Sequence, residues 1–244
     1  MHSDKLVTKD GVSIAYDHYK NGLDSVIIIC PGFFNSKRNS MMKKAVEMVS
    51  WFYDVIIFDF RGHGESGGKF TWASREPLDL ETAIDYAVGC GYKKIGVMGF
   101  SLGAATAMNV AAGRPEIKSM VLVSGPYSFW KMDYNFWEPG MLLDLRSNFE
   151  CKWEGKGVRF GNVFLPKIRP LDSVARTKGT PMLFIHGDSD WVIKDYHSRK
   201  LYEAAAGKKR LEIIKGGFHA ERLIEKYPER MEKLVMDWFK ETLS

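Results

Sequence analysis

Two kinds of hydrophobic pattern alternate along the chain. In the first, a short run is apolar at nearly every position: Val26 to Cys30, Val55 to Phe60, Ile95 to Met98, Met120 to Ser124, Met182 to His186 and Leu211 to Ile214. The first four of these runs suit strands buried on both faces, as in the middle of a parallel sheet, and the last two read as further strands. In the second, apolar residues recur every three or four positions, which predicts helices with one buried face. Met41 to Ser50 presents Met42, Ala45, Val46 and Val49, and about Arg75 to Cys90 presents Leu80, Ala83, Ile84, Ala87 and Val88. The small-residue stretch Ala104 to Ala112 and the segment from about Asp195 to Ala206 read the same way. A closing helix from about Glu221 to Thr242 buries Leu223, Leu234, Val235, Trp238 and Phe239, with Tyr227-Pro228 interrupting or kinking it. Near the start, Leu6 to Thr8 and Ser13 to Tyr19 flank Lys9-Asp10-Gly11, a hairpin signal. The alternation in Val12 to Tyr16 fits an antiparallel pair with one face exposed. Regular alternation of strand and helix predicts an α/β fold, a mostly parallel eight-stranded sheet with helices on both faces.

One segment breaks the rhythm. Residues from about 126 to 170 are rich in aromatics, including Tyr127, Phe129, Trp130, Tyr134, Phe136, Trp137, Phe149, Trp153, Phe160 and Phe164. A connection this long inside a single domain is functional or carries its own structure, and it reads as a small lid. The 244 residues, 45% of them hydrophobic, suit one domain over residues 1–244 with that lid inserted. The net charge of +5 comes from Lys and Arg interleaved with acids along the whole chain, which describes a solvated surface and excludes a nucleic-acid groove. No apolar stretch approaches the roughly 18 residues of a membrane span. Met1 to Lys5 lacks a basic segment leading into an apolar core, so a cytoplasmic location is expected. Cys30, Cys90 and Cys151 are odd in number and lack metal-type spacing, so neither disulfides, nor a metal, nor any cofactor is expected. Oligomeric state is left open, with a homodimer among the options.

The chemistry concentrates at Gly99-Phe100-Ser101-Leu102-Gly103, set between the Ile95 run and the Ala104 helix. A turn from strand to helix within about one residue crowds the serine into a strained backbone and leaves room only for glycine on either side. It also sets the hydroxyl at a helix N-terminus, where free N–H groups stabilise developing negative charge. A serine attacks only when an imidazole takes its proton, and the imidazole needs a carboxylate behind it. Loops at the carboxyl ends of parallel strands supply both partners. His219, directly after the last strand, is the candidate base. His63 is its competitor, His186 reads as structural, and His2, His18 and His197 read as surface residues. Asp188 and Asp190 share one loop, and spacing does not decide between them. The oxyanion donors are the Leu102 N–H and an N–H after the Val26 strand, from Phe33 before Phe34. Phe34 and the lid residues Trp130, Phe136 and Trp137 are candidate substrate contacts, and an acyl pocket walled by the lid would favour short chains.

Over nearly its full length the chain resembles the α/β-hydrolase superfamily. The resemblance is carried by Cys30-Pro31-Gly32-Phe33, by Asp59-Phe60-Arg61-Gly62-His63-Gly64-Glu65-Ser66, by the serine turn, by His186-Gly187-Asp188-Ser189-Asp190-Trp191-Val192 and by Gly217-Phe218-His219-Ala220-Glu221. It is most similar to compact esterases grouped with serine aminopeptidase-like and dienelactone-hydrolase-like proteins. The resemblance implies Asp190 as the acid and Phe33 as the first oxyanion donor, although Pro31 stands where many relatives carry histidine. It implies a carboxylic-ester hydrolase acting on a small-molecule ester through an acyl-enzyme on Ser101. A monoacylglycerol lipase or thioesterase is the alternative. So is an aminopeptidase or acylaminoacyl-type peptidase, for which neither a larger cap domain nor an acidic anchor for a free amine is evident. A non-enzymatic binder of this fold would normally lack one of the three residues.

Overall fold

The apolar run Ser25–Cys30 (β3) forms a strand because β-branched residues fill it, and its side chains divide between two cores. Val26, Ile28 and Cys30 face one side of the sheet while Ile27 and Ile29 face the other. The computed structural model describes residues 1–133, 157–177 and 179–243. Among them the strands are His2–Val7 (β1), Ser13–Tyr19 (β2), β3, Asp54–Phe58 (β4), Lys94–Phe100 (β5), Ile117–Val123 (β6), Met182–Gly187 (β7) and Lys209–Ile214 (β8). They form one eight-stranded sheet in the order β1-β2-β4-β3-β5-β6-β7-β8. Only the β1–β2 and β2–β4 pairs are antiparallel.

Helices cover both faces. Glu76–Gly89 (α2), Leu102–Ala111 (α3), Pro170–Val174 (α4) and Tyr196–Ala204 (α5) lie over the core that contains Val26 and Val97. Ser40–Ser50 (α1), Arg222–Lys226 (α6) and Pro228–Thr242 (α7) cover the core of Ile27, Met98 and Phe100. The cap of α1 is Asn39, whose side chain accepts the Met41 N–H at 2.9 Å. The break between α6 and α7 falls at Tyr227, where the chain leaves helical geometry before Pro228 opens the next helix. Beyond it α7 buries Leu234, Val235, Trp238 and Phe239, each worth about 1.5–3 kcal/mol when fully removed from water.

Four expectations are corrected, those for β2, His18, His197 and Val88. Strand β2 is buried on both faces from Ile14 to His18, because it lies inside the sheet between β1 and β4 and its polar side chains find partners. Asp17 pairs with the buried Lys37 at 2.8 Å, and His18 meets the Tyr86 and Tyr92 hydroxyls at 3.1 and 3.0 Å. The sheet's edges are β1, mostly exposed, and β8, mostly half-buried. His197, expected at the surface, is likewise buried, and Val88 is 44% exposed at the end of α2.

Candidate active site

Strand β5 enters α3 through Ser101, whose φ of 50° and ψ of −110° are strained for a residue with a Cβ. Both flanking glycines are required by space. A Cβ on Gly103 would meet the Cys30 carbonyl oxygen at 2.1 Å, and one on Gly99 would meet the Ala104 backbone at 2.7 Å. The turn is pinned by the Ser101 N–H donating to the Val123 carbonyl at 2.8 Å.

Ser101, His219 and Asp190 form one hydrogen-bonded line. His219 Nε2 lies 2.9 Å from Ser101 Oγ, and His219 Nδ1 lies 2.6 Å from Asp190 Oδ2. The carboxylate therefore holds the imidazole with its Nδ1 protonated and leaves Nε2 to accept from the serine. Asp190 is wholly buried. Burial alone raises its carboxyl, but the neighbouring His219 and hydrogen bonds from His186 and His219 outweigh this and hold it well below the usual carboxylate range. Its Oδ1 accepts the Val192 and Ile193 N–H groups, both at 2.9 Å. His186 stands behind it, donating from Nε2 to the Ile193 carbonyl and accepting at Nδ1 from Ser198. Asp188 faces away from this line: its Oδ1 accepts the Gly216 N–H at 2.6 Å and ties two loops together.

The loop after β3 passes over the serine, with the Gly32 Cβ position 3.6 Å from Ser101 Cβ. Phe34, at φ 69°, donates its N–H to His63 Nε2 at 3.2 Å. Among the described residues the Phe33 and Leu102 N–H groups have no acceptor, and both residues line the cavity beside Ser101. His63 thus occupies the Phe34 donor and lies outside the Ser101–His219–Asp190 line. Its Nδ1 donates to the Arg61 carbonyl at 3.1 Å, and burial pushes its pKa down to about 4, which keeps Nε2 free to accept. The rest of that turn is scaffold. Asp59, pushed up to about 6 by burial, accepts the Lys37 and Glu65 N–H groups, and Arg61 is buried between Asp10 and Asp79.

The cavity holds about 220 Å³. Phe33, Phe34, Phe70, Trp72, Leu102, Pro126, Phe129, Met132, Trp191 and Val192 supply its apolar wall, and Asn35, Glu221 and Arg222 its polar part. Trp130 is not in that wall: it is 74% exposed, with the Lys167 ammonium 5.0 Å from its ring centre. Phe136 and Trp137 lie outside the described residues. Sequence reasoning missed Phe70 and Trp72, which reach the site only through the fold. Trp191, Val192 and Glu221 carried a usable signal, since they adjoin Asp190 and His219 in the chain.

Asp133, on the chain leaving β6, accepts from His197 Nε2 at 3.2 Å and from the Tyr196 hydroxyl at 3.1 Å, so the root of the 126–170 segment is fastened to α5. Burial pushes His197 down to about 4. Cys30 is buried, with its thiol pushed up by burial, and Cys90 is exposed; Cys151 lies outside the described residues. Among the described residues no group of three or more His, Cys, Asp or Glu could hold a metal ion, and no helix is long and apolar enough to cross a membrane.

Known proteins share this architecture. The Pyrococcus furiosus esterase Pf2001 superposes with a TM-score of 0.81 at 25% identity, covering 100% of this chain and 93% of that one. A putative aryl esterase from Burkholderia cenocepacia shares the fold with a TM-score of 0.79 at 20% identity, covering 98% of both chains. In sequence, the chain is 25% identical over 205 residues to the uncharacterized protein YfhR of Escherichia coli strain K12, covering 81% of this chain and 65% of YfhR. The human serine hydrolase BPHL is 22% identical over 260 residues, covering 95% of this chain and 84% of BPHL. Against YfhR, and against YqkD of Bacillus subtilis, the chain spans just under two thirds of the relative's length. Residues 157–226 match the family described as serine aminopeptidase, S33. Residues 25–165, which include the Ser101 turn and the loop above it, match the family described as alpha/beta hydrolase fold, and the chain belongs to that family.

Proposed function

We propose that the protein is a serine hydrolase of carboxylic esters that works through an acyl-enzyme on Ser101. The observation that carries this reading is the line from Ser101 Oγ through His219 to the buried Asp190 carboxylate, set at the edge of an apolar cavity. Ser101 Oγ attacks the ester carbonyl carbon while its proton passes to His219 Nε2, and Asp190 stabilises the imidazolium that forms. The carbonyl oxygen, now an anion, takes the Phe33 and Leu102 N–H groups. Collapse breaks the carbon–oxygen bond, and the leaving alkoxide receives the proton from His219. Water then repeats the attack on the acyl-enzyme with His219 again as base, releasing the acid and restoring the serine. Phe34 and the other apolar lining residues hold the acyl chain, and the esterase Pf2001, of similar architecture, supports the choice of an ester over other acyl compounds.

The test is twofold. A fluorophosphonate probe is expected to label the wild type at Ser101, and Ser101→Ala is expected to lose labelling together with roughly 10⁴-fold or more of its p-nitrophenyl butanoate turnover, with far-UV circular dichroism unchanged. Labelling that persists in Ser101→Ala, or wild-type turnover in that variant, removes the reading. A wild type that cleaves acyl thioesters or aminoacyl anilides far faster than esters replaces it with the thioesterase or peptidase alternative.

A further inference from the structure

An acid stands in the cavity beside Ser101, in a polar part shared with Asn35 and Arg222 that faces an aromatic and aliphatic wall. Glu221 follows His219 by two residues, across Ala220, which is held at φ 46° with its N–H donating to Ser124 Oγ at 3.0 Å. Its Oε1 accepts a hydrogen bond from Asn35 Nδ2. Asn35 is 5% exposed and also lines the cavity, and its Oδ1 is buried without a partner among the described residues. A buried amide oxygen left without a donor is costly. Turning the amide over would relieve nothing, since it would set that oxygen against the carboxylate. The side chain is therefore committed to holding Glu221. The neighbouring Arg222 donates from Nη1 to Glu225 at 2.7 Å.

A carboxylate offers only acceptors, so whatever substrate group lies against it must donate. His219 is the group that hands a proton to the departing alkoxide, and Glu221 shares its turn. That shared turn is the ground for assigning the carboxylate to the side of the cavity from which the alcohol leaves. We propose that Glu221, positioned by Asn35, determines leaving-group specificity by taking a hydrogen-bond donor, a hydroxyl or a protonated amine, carried on the alcohol portion of the ester. This inference rests on the ester-hydrolase reading. A site built to hydrogen-bond a substrate group rejects the analogue that lacks it, because the site's own polar atoms are then left unpaired.

Three butanoate esters test it: ethyl, 2-hydroxyethyl and 2-(dimethylammonio)ethyl. Each kcat/KM is divided by the rate constant for hydroxide hydrolysis of the same ester, which cancels intrinsic reactivity. The wild type is expected to prefer at least one donor-bearing ester over ethyl butanoate by on the order of tenfold, and the ester preferred names the donor. Glu221→Gln should abolish a preference for the ammonium ester and keep part of one for the hydroxyethyl ester, while Glu221→Leu should abolish both. A purely structural defect lowers all three rates by the same factor and leaves the ratios in place. Normalised ratios near one in the wild type, or wild-type ratios retained in Glu221→Leu, overturn the inference. So does cleavage of p-nitrophenyl butanoate with none of the three alkyl esters. Failure to cleave p-nitrophenyl butanoate at all is the separate result that removes the ester-hydrolase reading itself.

Discussion

At the residue scale the decisive feature is how single side chains exclude their neighbours from a role. His63 takes the Phe34 N–H on its Nε2, and this leaves the Phe33 N–H as the one in that loop open to the proposed oxyanion. Asp188 is occupied by the Gly216 N–H, and this leaves Asp190 to face His219. Sequence spacing shows that such residues share a loop but not which way each points. Burial of His63 also sets a pH dependence. In the unfolded chain a histidine gains its proton near 6.5, whereas His63 in the fold gains it only near 4. Between those values the unfolded state binds more protons, so this residue makes stability fall as pH falls from about 6.5 to about 4. His63→Asn is expected to flatten the wild-type curve of unfolding free energy over that window, by a slope approaching about 1.4 kcal/mol per pH unit for one proton. Urea unfolding at pH 4.5, 5.5 and 6.5 reads the difference, and parallel curves would contradict it. The same variant loses the acceptor that holds Phe34, so its turnover should fall by roughly tenfold or more as the oxyanion donors lose their position.

At the element scale, the turn between β5 and α3 is the best determined piece of the molecule. Two glycines, an apolar run before them and small residues after them all demand the same close packing of helix on sheet. Gly103→Ala would drive a methyl group into the Cys30 carbonyl, and overpacking of this kind costs about 1–3 kcal/mol or more. For a chain of this size that corresponds to a melting temperature lower by roughly 2–12 °C, measurable by differential scanning calorimetry. A Tm within a degree of the wild type would show that the turn can relax. This element was legible from sequence because its constraints are local. So were the central strands, whose burial on both faces leaves no polar position to disguise them, and the helix break at Tyr227-Pro228. Strand β2 was misread because the alternation from Val12 to Tyr16 looks half-exposed and His18 looks solvent-facing, whereas the strand lies between β1 and β4 and distant partners, Lys37 for Asp17 and Tyr86 and Tyr92 for His18, make its polar residues interior ones. Phe70 and Trp72 were invisible for the same reason: nothing next to them in the chain points to Ser101.

At the scale of the whole molecule, the sheet order brings the ends of β3, β5, β7 and β8 to one edge, and the cavity is closed by loops from all of them. On the ester-hydrolase reading, a cavity of about 220 Å³ limits the acyl chain. Each methylene that fits adds about 0.8 kcal/mol, close to fourfold in kcat/KM, until the chain meets a wall. With p-nitrophenyl esters, kcat/KM is expected to peak between acetyl and hexanoyl and to fall by dodecanoyl. Trp72→Ala should move the peak toward longer chains, whereas Trp130→Ala, altering a ring that lies outside the cavity, should leave it in place. The reverse pattern would return the wall to Trp130. The distance along the chain between the proposed nucleophile and its proposed base has a further consequence. Ser101 and His219 are 118 residues apart, so at about 5–20 residues per second a ribosome makes the serine roughly 6–24 s before the imidazole proposed to activate it. On the proposed mechanism the nascent chain carries a strained serine turn during that interval without hydrolysing the esters around it, and hydrolytic power would be switched on only when β8 docks.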